Sequence, residues 1–250
     1  LAFTGTAPFG HYSVVTTTPP RARIQPRFFV MSAMADYAVA LSLICGHKYL
    51  TFSYDDFDLA IHSQSAWSIV HGSLDCSILG IPFLGNHMVL ILFLVAPLYA
   101  ACPSPLLLLC LQSCALAAGA WPVYQLAKRE LSEAWGAAFA AIYLTYPPLL
   151  YMNLYEFHPV ALASTFLLFA FWRYRAGQFG PFLLFAGLAM LCQENISLVV
   201  IAFGLYAWIQ RRTWRWTVIP AALGVLYFGI AVGLLMPHFN RVVNLYAMFG

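Results

Sequence analysis

Charge is what this chain has least of: Asp, Glu, Lys and Arg make up 8% of its 250 residues, against about 25% in a soluble globular domain. That scarcity excludes a water-solvated surface over most of the fold. Cysteines are few as well, six in all, and no CxxC or Cys/His metal spacing appears among them. Cys102, Cys110, Cys114 and Cys192 sit in or beside apolar runs and read as small packing residues. Ionisable groups are nearly missing from the apolar runs, Asp36 apart, so no coupling-ion route across a membrane midplane is visible. Residues 1–30 lack the apolar core of a signal peptide and carry instead Thr16 to Thr18, Pro19, Pro20 and three arginines. They read as a disordered N-terminal extension ahead of Met31. Residues 31–250 read as a transmembrane domain, truncated at its C-terminus, because Gly250 follows a loop with no terminating feature.

What is present is apolar: 62% hydrophobic residues and a mean hydropathy of +0.78. Apolar runs cover about residues 28–46, 88–102, 105–127, 134–152, 159–172, 179–192, 196–209 and 217–236, where a bilayer needs about 20 residues per helix. The basic clusters Arg21/Arg23/Arg27, Lys128/Arg129, Arg173/Arg175 and Arg211/Arg212/Arg215 belong on the cytoplasmic side. An even number of crossings must then separate each neighbouring pair. The 88–102 run, broken by Pro97 and the shortest of the three between Arg27 and Lys128, is a re-entrant or interfacial helix on the outer face. The stretch from Arg175 to Arg211 is two short helices meeting at Gln193-Glu194-Asn195, since one helix would strand Glu194 near mid-bilayer at about 2.5–3.5 kcal/mol. These constraints predict an all-α polytopic membrane protein of about seven transmembrane helices, N-terminus cytoplasmic. Juxtamembrane helices occupy a long first outer loop, from about His47 to Ser104.

The sorting gathers Asp55, Asp56, Asp58, Asp75, Glu156 and Glu194 outside, with His47, His62, His71, His87, His158 and His238. Lys48 and Arg241 are the outer cations. The net charge of +3 comes from short cytoplasmic loops and implies no nucleic-acid partner. Asp36 falls within the first span, as a buried polar contact or a frayed helix start. From Tyr54 to Trp67 the acids lead into an amphipathic helix ending near His71-Gly72, with Asp55 and Asp56 placed to cap it. On that helix Asp58, His62 and Ser65 share one face. Acids at a helix start are often caps alone, and that reading stands beside a functional one. Convergence favours function: Asn86-His87, Tyr155-Glu156-Phe157-His158-Pro159 and Gln193-Glu194-Asn195 each land at the outer boundary, where carboxylates in a partly dry cavity acquire the pKa values proton transfer needs. Trp67, Trp121, Trp135, Trp172, Trp214 and Trp216 flank the spans as interfacial anchors.

The runs FDLAIHSQSAWSIVHG, FLGNHMVLILFLVAPLYA, LLCLQSCALAAGAWPVYQLAKREL, YLTYPPLLYMNLYEFHPVAL and CQEN resemble a bacterial family of predicted membrane proteins, domain of unknown function 2079, over about residues 35–240. That family is in turn similar to the GT-C glycosyltransferases, which take a sugar from a polyprenyl-phosphate carrier and bear an acidic motif in the first outer loop. The resemblance implies a multi-pass protein of the bacterial cytoplasmic membrane, with a polyprenyl-phosphate-linked sugar and membrane lipid as partners. Asp58 then matches the catalytic aspartate, His87 the histidine after the second juxtamembrane segment, and Glu156 with His158 the outer end of the third span. Asp55, Asp56, His62, Gln64, Glu194, Lys48 and Arg241 complete the candidate binding residues. A divalent cation is one possible cofactor, held by the histidines and carboxylates. The sequence departs from the family at Asn86, where Asp is common, and at Gln193, where Lys is common; losing that lysine removes one candidate phosphate ligand. The implied reaction has Asp58 take a proton from an acceptor hydroxyl attacking the anomeric carbon. A transporter or flippase, or a non-catalytic membrane subunit, is the alternative.

Overall fold

Prolines start many of the helices, at positions where a missing N–H leaves nothing unsatisfied, and a computed structural model describes residues 25–54 and 57–240. Helix α1 (Pro26–Leu50) opens on such a proline. It therefore begins inside the segment expected to be an extension. Asp36 is exposed well within α1, so it is neither a buried contact nor a frayed end. The outer-loop region follows as α2 (Asp58–Val70), a two-residue hairpin of β1 (Asp75–Cys76) and β2 (Ile81–Pro82), α3 (Phe83–Asn86) and α4 (Ile91–Ala101). With 11 residues α4 is about 16 Å long, against a hydrocarbon core of about 30 Å. It packs on α2.

The rest is α5 (Pro105–Ala118), α6 (Ala120–Glu130), α7 (Glu133–Leu144), α8 (Pro147–Tyr155), α9 (Pro159–Arg175), α10 (Phe179–Met190), α11 (Ile196–Ile209) and α12 (Trp214–Ile230). A π-helical turn, Ala231–Leu235, carries α12 onward. Among the described residues three stretches are long and apolar enough to cross a membrane: Pro26–Leu50, Pro105–Glu130 and Trp214–Asn240. The run expected as one helix over 134–152 is instead two, because Pro147 and Pro148 follow Thr145-Tyr146 and a proline there cannot continue α7. Glycines set the closest helix approach. A Cβ on Gly224 would stand 2.7 Å from the carbonyl oxygen of Ser197, and one on Gly204 would stand 2.6 Å from that of Thr217. Helices α11 and α12 therefore meet backbone to backbone, as small residues allow in lipid. Large apolar side chains such as Leu43, Leu205, Leu226 and Leu234 point outward, the pattern of a bundle solvated by acyl chains.

The two ends of the bundle differ in chemistry. At the Arg175 end of α9, Arg175 Nη2 lies 2.7 Å from Glu130 Oε1, Lys128 Nζ lies 2.8 Å from Glu133 Oε1, and Arg212 donates to the Tyr174 carbonyl at 3.1 Å. Arg27 adds to the field that lowers the Glu133 carboxyl, behind the hydrogen bonds from Lys128 and Tyr124. Members of all four basic clusters thus meet at this end. The His158 end of the same 17-residue helix carries the acids and imidazoles, about 25 Å away.

Candidate functional site

Phe57 stands at the N-cap of α2 and its side chain makes no capping hydrogen bond. Among the described residues a cap comes from a distant turn. Glu156 Oε2 accepts the Leu59 amide at 2.6 Å, and Glu156 is buried, 1% exposed. A carboxylate on the first-turn amides satisfies an orphan donor and faces the positive end of the helix dipole. That fixes the first turn of α2 against the α8–α9 break, and with it Asp58. Across the same break His158 Nε2 lies 2.7 Å from Asp58 Oδ2. The other ring nitrogen, Nδ1, lies 3.3 Å from the Glu156 carbonyl oxygen. Both nitrogens face acceptors, a geometry that orients the ring toward the aspartate.

A second imidazole–carboxylate pair stands beside the first. His87 Nδ1 lies 3.0 Å from Glu194 Oε1, and Glu194 Oε2 accepts the Met88 amide at 2.9 Å. The turn between α10 and α11 brings Glu194 there, and Leu191 in that turn accepts the Ile91 amide at 2.8 Å, tying it to α4. The expected meeting of two short helices at Gln193 to Asn195 is therefore present. The hydrogen bond to Glu194 raises the His87 imidazole above 6.5, against the effect of burial. Burial pushes the Glu194 carboxyl up, but the bonds from His87 and the Met88 amide outweigh it and hold it below 4.5.

Asp58, His62, Asn86, His87, His158 and Gln193 line one cavity of about 220 Å³, closed by Ile61, Val89, Val160 and Cys192. His62 touches Phe157 edge-on. Burial pushes its imidazole down to about 3, with repulsion from His158 and His87 adding to it. A neutral ring thus sits between two rings that are each paired with a carboxylate. On the other flank of α2 lies a chamber of about 480 Å³ walled by Tyr49, Phe52, Tyr54, Leu59, Trp67 and Tyr99 among others, a size suited to a small organic ligand.

The structure brings together Asp58, His62, His87 and His158, and attaches Glu194 through His87. Glu156 faces the apolar chamber and serves as the cap of α2. Gln64 also lines that chamber and donates to Ser77 Oγ at 2.7 Å. Lys48 donates to the Leu154 carbonyl at 2.7 Å and lies 4.5 Å from the centre of the Tyr54 ring, at the edge of the chamber rather than in the polar cavity. Asp55, Asp56 and Arg241 lie outside the described residues. Among the described residues no group of three His, Cys, Asp or Glu is disposed to hold a metal ion. The sequence reading missed Gln112, Ser113 and Asn153, all fully buried. A glutamine inside the apolar run LLCLQSC was the available signal, since an amide there needs partners.

The His87–Glu194 pair has a testable pH signature. A depressed carboxylate contributes stability that is present above its unfolded value of 4.5 and fades as pH falls through the folded one. A raised imidazole contributes stability that is complete below 6.5 and fades as pH rises through its folded value. The pair therefore stabilises most between 4.5 and 6.5. Thermal unfolding in detergent should show wild type losing stability relative to His87→Gln as pH rises from 6.5. Parallel curves for the two proteins would sever the pair from the pH response.

No curated protein and no solved structure matches the chain. A family model, described as predicted membrane protein (DUF2079), matches residues 48–250, which takes in α2 and both imidazole–carboxylate pairs. The chain belongs to that family of predicted membrane proteins.

Proposed function

We propose that this is a membrane glycosyltransferase that moves a sugar from a polyprenyl-phosphate carrier to an acceptor hydroxyl at the outer face of the bacterial cytoplasmic membrane. The observation that carries the reading is Asp58, paired with His158 at 2.7 Å, at the wall of a polar cavity that backs onto an apolar chamber across α2. One Asp58 oxygen is taken by His158; the other is available to an acceptor hydroxyl. As the hydroxyl oxygen bonds to the anomeric carbon, the carbon–oxygen bond to the carrier phosphate breaks, its electron pair leaves with the phosphate, and the hydroxyl proton passes to Asp58. One direct displacement inverts that carbon. His87, half-exposed and favoured in its charged form by Glu194, supplies positive charge to the polar cavity for the departing phosphate. The chamber receives the proximal part of the prenyl chain, with Lys48 at its edge. The reading includes about seven crossings, with α7–α8 and the shorter helices α9, α10 and α11 joining the three long ones, and a cytoplasmic N-terminus.

Full-length protein in vesicles, supplied with labelled polyprenyl-phosphate sugars, tests this. The expected result is a covalent glycosyl product of inverted configuration. Movement of the labelled lipid between leaflets without a product would replace the reading with a flippase.

A further inference from the structure

The α8–α9 break is an irregular stretch of buried backbone, and its peptide groups need partners inside the bundle. One side chain supplies two of them. Gln112 of α5, 0% exposed, donates from Nε2 to the Glu156 carbonyl at 2.7 Å and accepts the His158 amide on Oε1 at 2.8 Å. Its Nε2 also lies 3.3 Å from the Met152 carbonyl and 3.4 Å from that of Asn153. The carboxamide thus grips the backbone on either side of Phe157, with one donor and one acceptor, as a neighbouring strand would. From that gripped segment project the two side chains that set Asp58: Glu156, which caps α2, and His158, which bonds the Asp58 carboxylate.

We infer that Gln112 is a positioning residue for the Asp58–His158 pair, acting through the backbone of Glu156 and His158 rather than by contact with a substrate. The adjacent Ser113 supplies an internal control. Its hydroxyl donates to Asn153 Oδ1 at 3.0 Å, a buried bond from the same helix to a side chain of α8 rather than to the backbone of Glu156 or His158.

The test uses full-length protein in detergent, labelled with 15N-histidine. The hydrogen-bonded Nε2 proton of His158 gives a downfield signal, assigned by its loss in His158→Asn. Gln112→Met, similar in volume but with neither bond, should lose that signal, whereas Ser113→Ala keeps it. Gln112→Glu separates geometry from bulk: a protonated carboxyl offers one donor and one acceptor, an ionised one only acceptors, so the signal should appear at low pH and vanish as the new carboxyl ionises. The activity arm rests on the proposed transfer reaction, and there Gln112→Met should lower kcat about a hundredfold at unchanged KM, the scale of a misplaced catalytic group. Because the NMR signal needs no turnover, absence of transfer in wild type would refute the reaction and leave this inference standing. A His158 signal that persists in folded Gln112→Met, or a Gln112→Glu signal indifferent to pH, would overturn it. So would failure of both Gln112 variants to fold beside a folded Ser113→Ala, which would assign Gln112 to the fold alone.

Discussion

Asp58→Asn in the full-length protein should lower transfer by about 10²–10⁴-fold, the usual contribution of a positioned general base, with little change in KM. Asn keeps the volume of Asp and an oxygen that accepts from His158 Nε2, so the 2.7 Å contact retains an acceptor. It cannot take a proton. The first turn of α2 is held by Glu156 on the Leu59 amide and does not depend on the Asp58 charge, so the variant should unfold near the wild-type temperature. Loss of product with an intact melting profile is therefore the expected pair of results. Full activity in Asp58→Asn would remove the base and the proposed displacement with it. His158→Asn should do less harm than Asp58→Asn, because it removes the orienting group and leaves the base.

Glu156→Ala should act in the other direction, on the fold first. Its carboxylate is buried and caps an amide 97 residues away in sequence. Removing it leaves the Leu59 N–H without that acceptor at a nearly buried residue, 5% exposed, at about 1–3 kcal/mol, and enlarges the apolar chamber beside it, which adds to the loss. The unfolding midpoint should fall by several degrees, and α2 should lose protection in hydrogen exchange before α5 or α9 does. Glu156→Gln keeps a neutral acceptor and should recover most of the stability. If Glu156→Ala melts like wild type with α2 equally protected, the cap is not what seats Asp58.

The broad plan was legible because it rests on few, strong signals. Basic clusters marked one end, and the structure gathers Lys128, Arg175 and Arg212 there through their contacts with Glu133, Glu130 and Tyr174, with Arg27 near enough to add to the field at Glu133. Gln193 to Asn195 marked the α10–α11 turn, which the structure has between Met190 and Ile196. Pairings were less legible. That His158 would meet Asp58 and Glu194 would meet His87 depends on which helix ends adjoin in space, which periodicity along one helix does not encode. Asp55 and Asp56, expected as caps, lie outside the described residues; the cap seen on α2 is Glu156, whose place in the sequence gives no hint of it. The helix break within 134–152 was not legible in the apolar pattern, which runs on uninterrupted, and the two consecutive prolines Pro147 and Pro148 outweigh it. Gln112 passed unnoticed because a single amide in an apolar run looks like noise until its two backbone partners are known.

An outer site at Asp58 requires the His158 end and the Arg175 end of α9 to face opposite compartments. Two single-cysteine variants in a background whose native cysteines are replaced by serine measure this: Ser53→Cys beside α2 and Ala176→Cys beside Arg175, both at exposed positions. A membrane-impermeant maleimide should label Ser53→Cys in intact cells and Ala176→Cys only after the membrane is opened. Labelling of both from the same side would contradict the sorting and dissolve the outer site built on it.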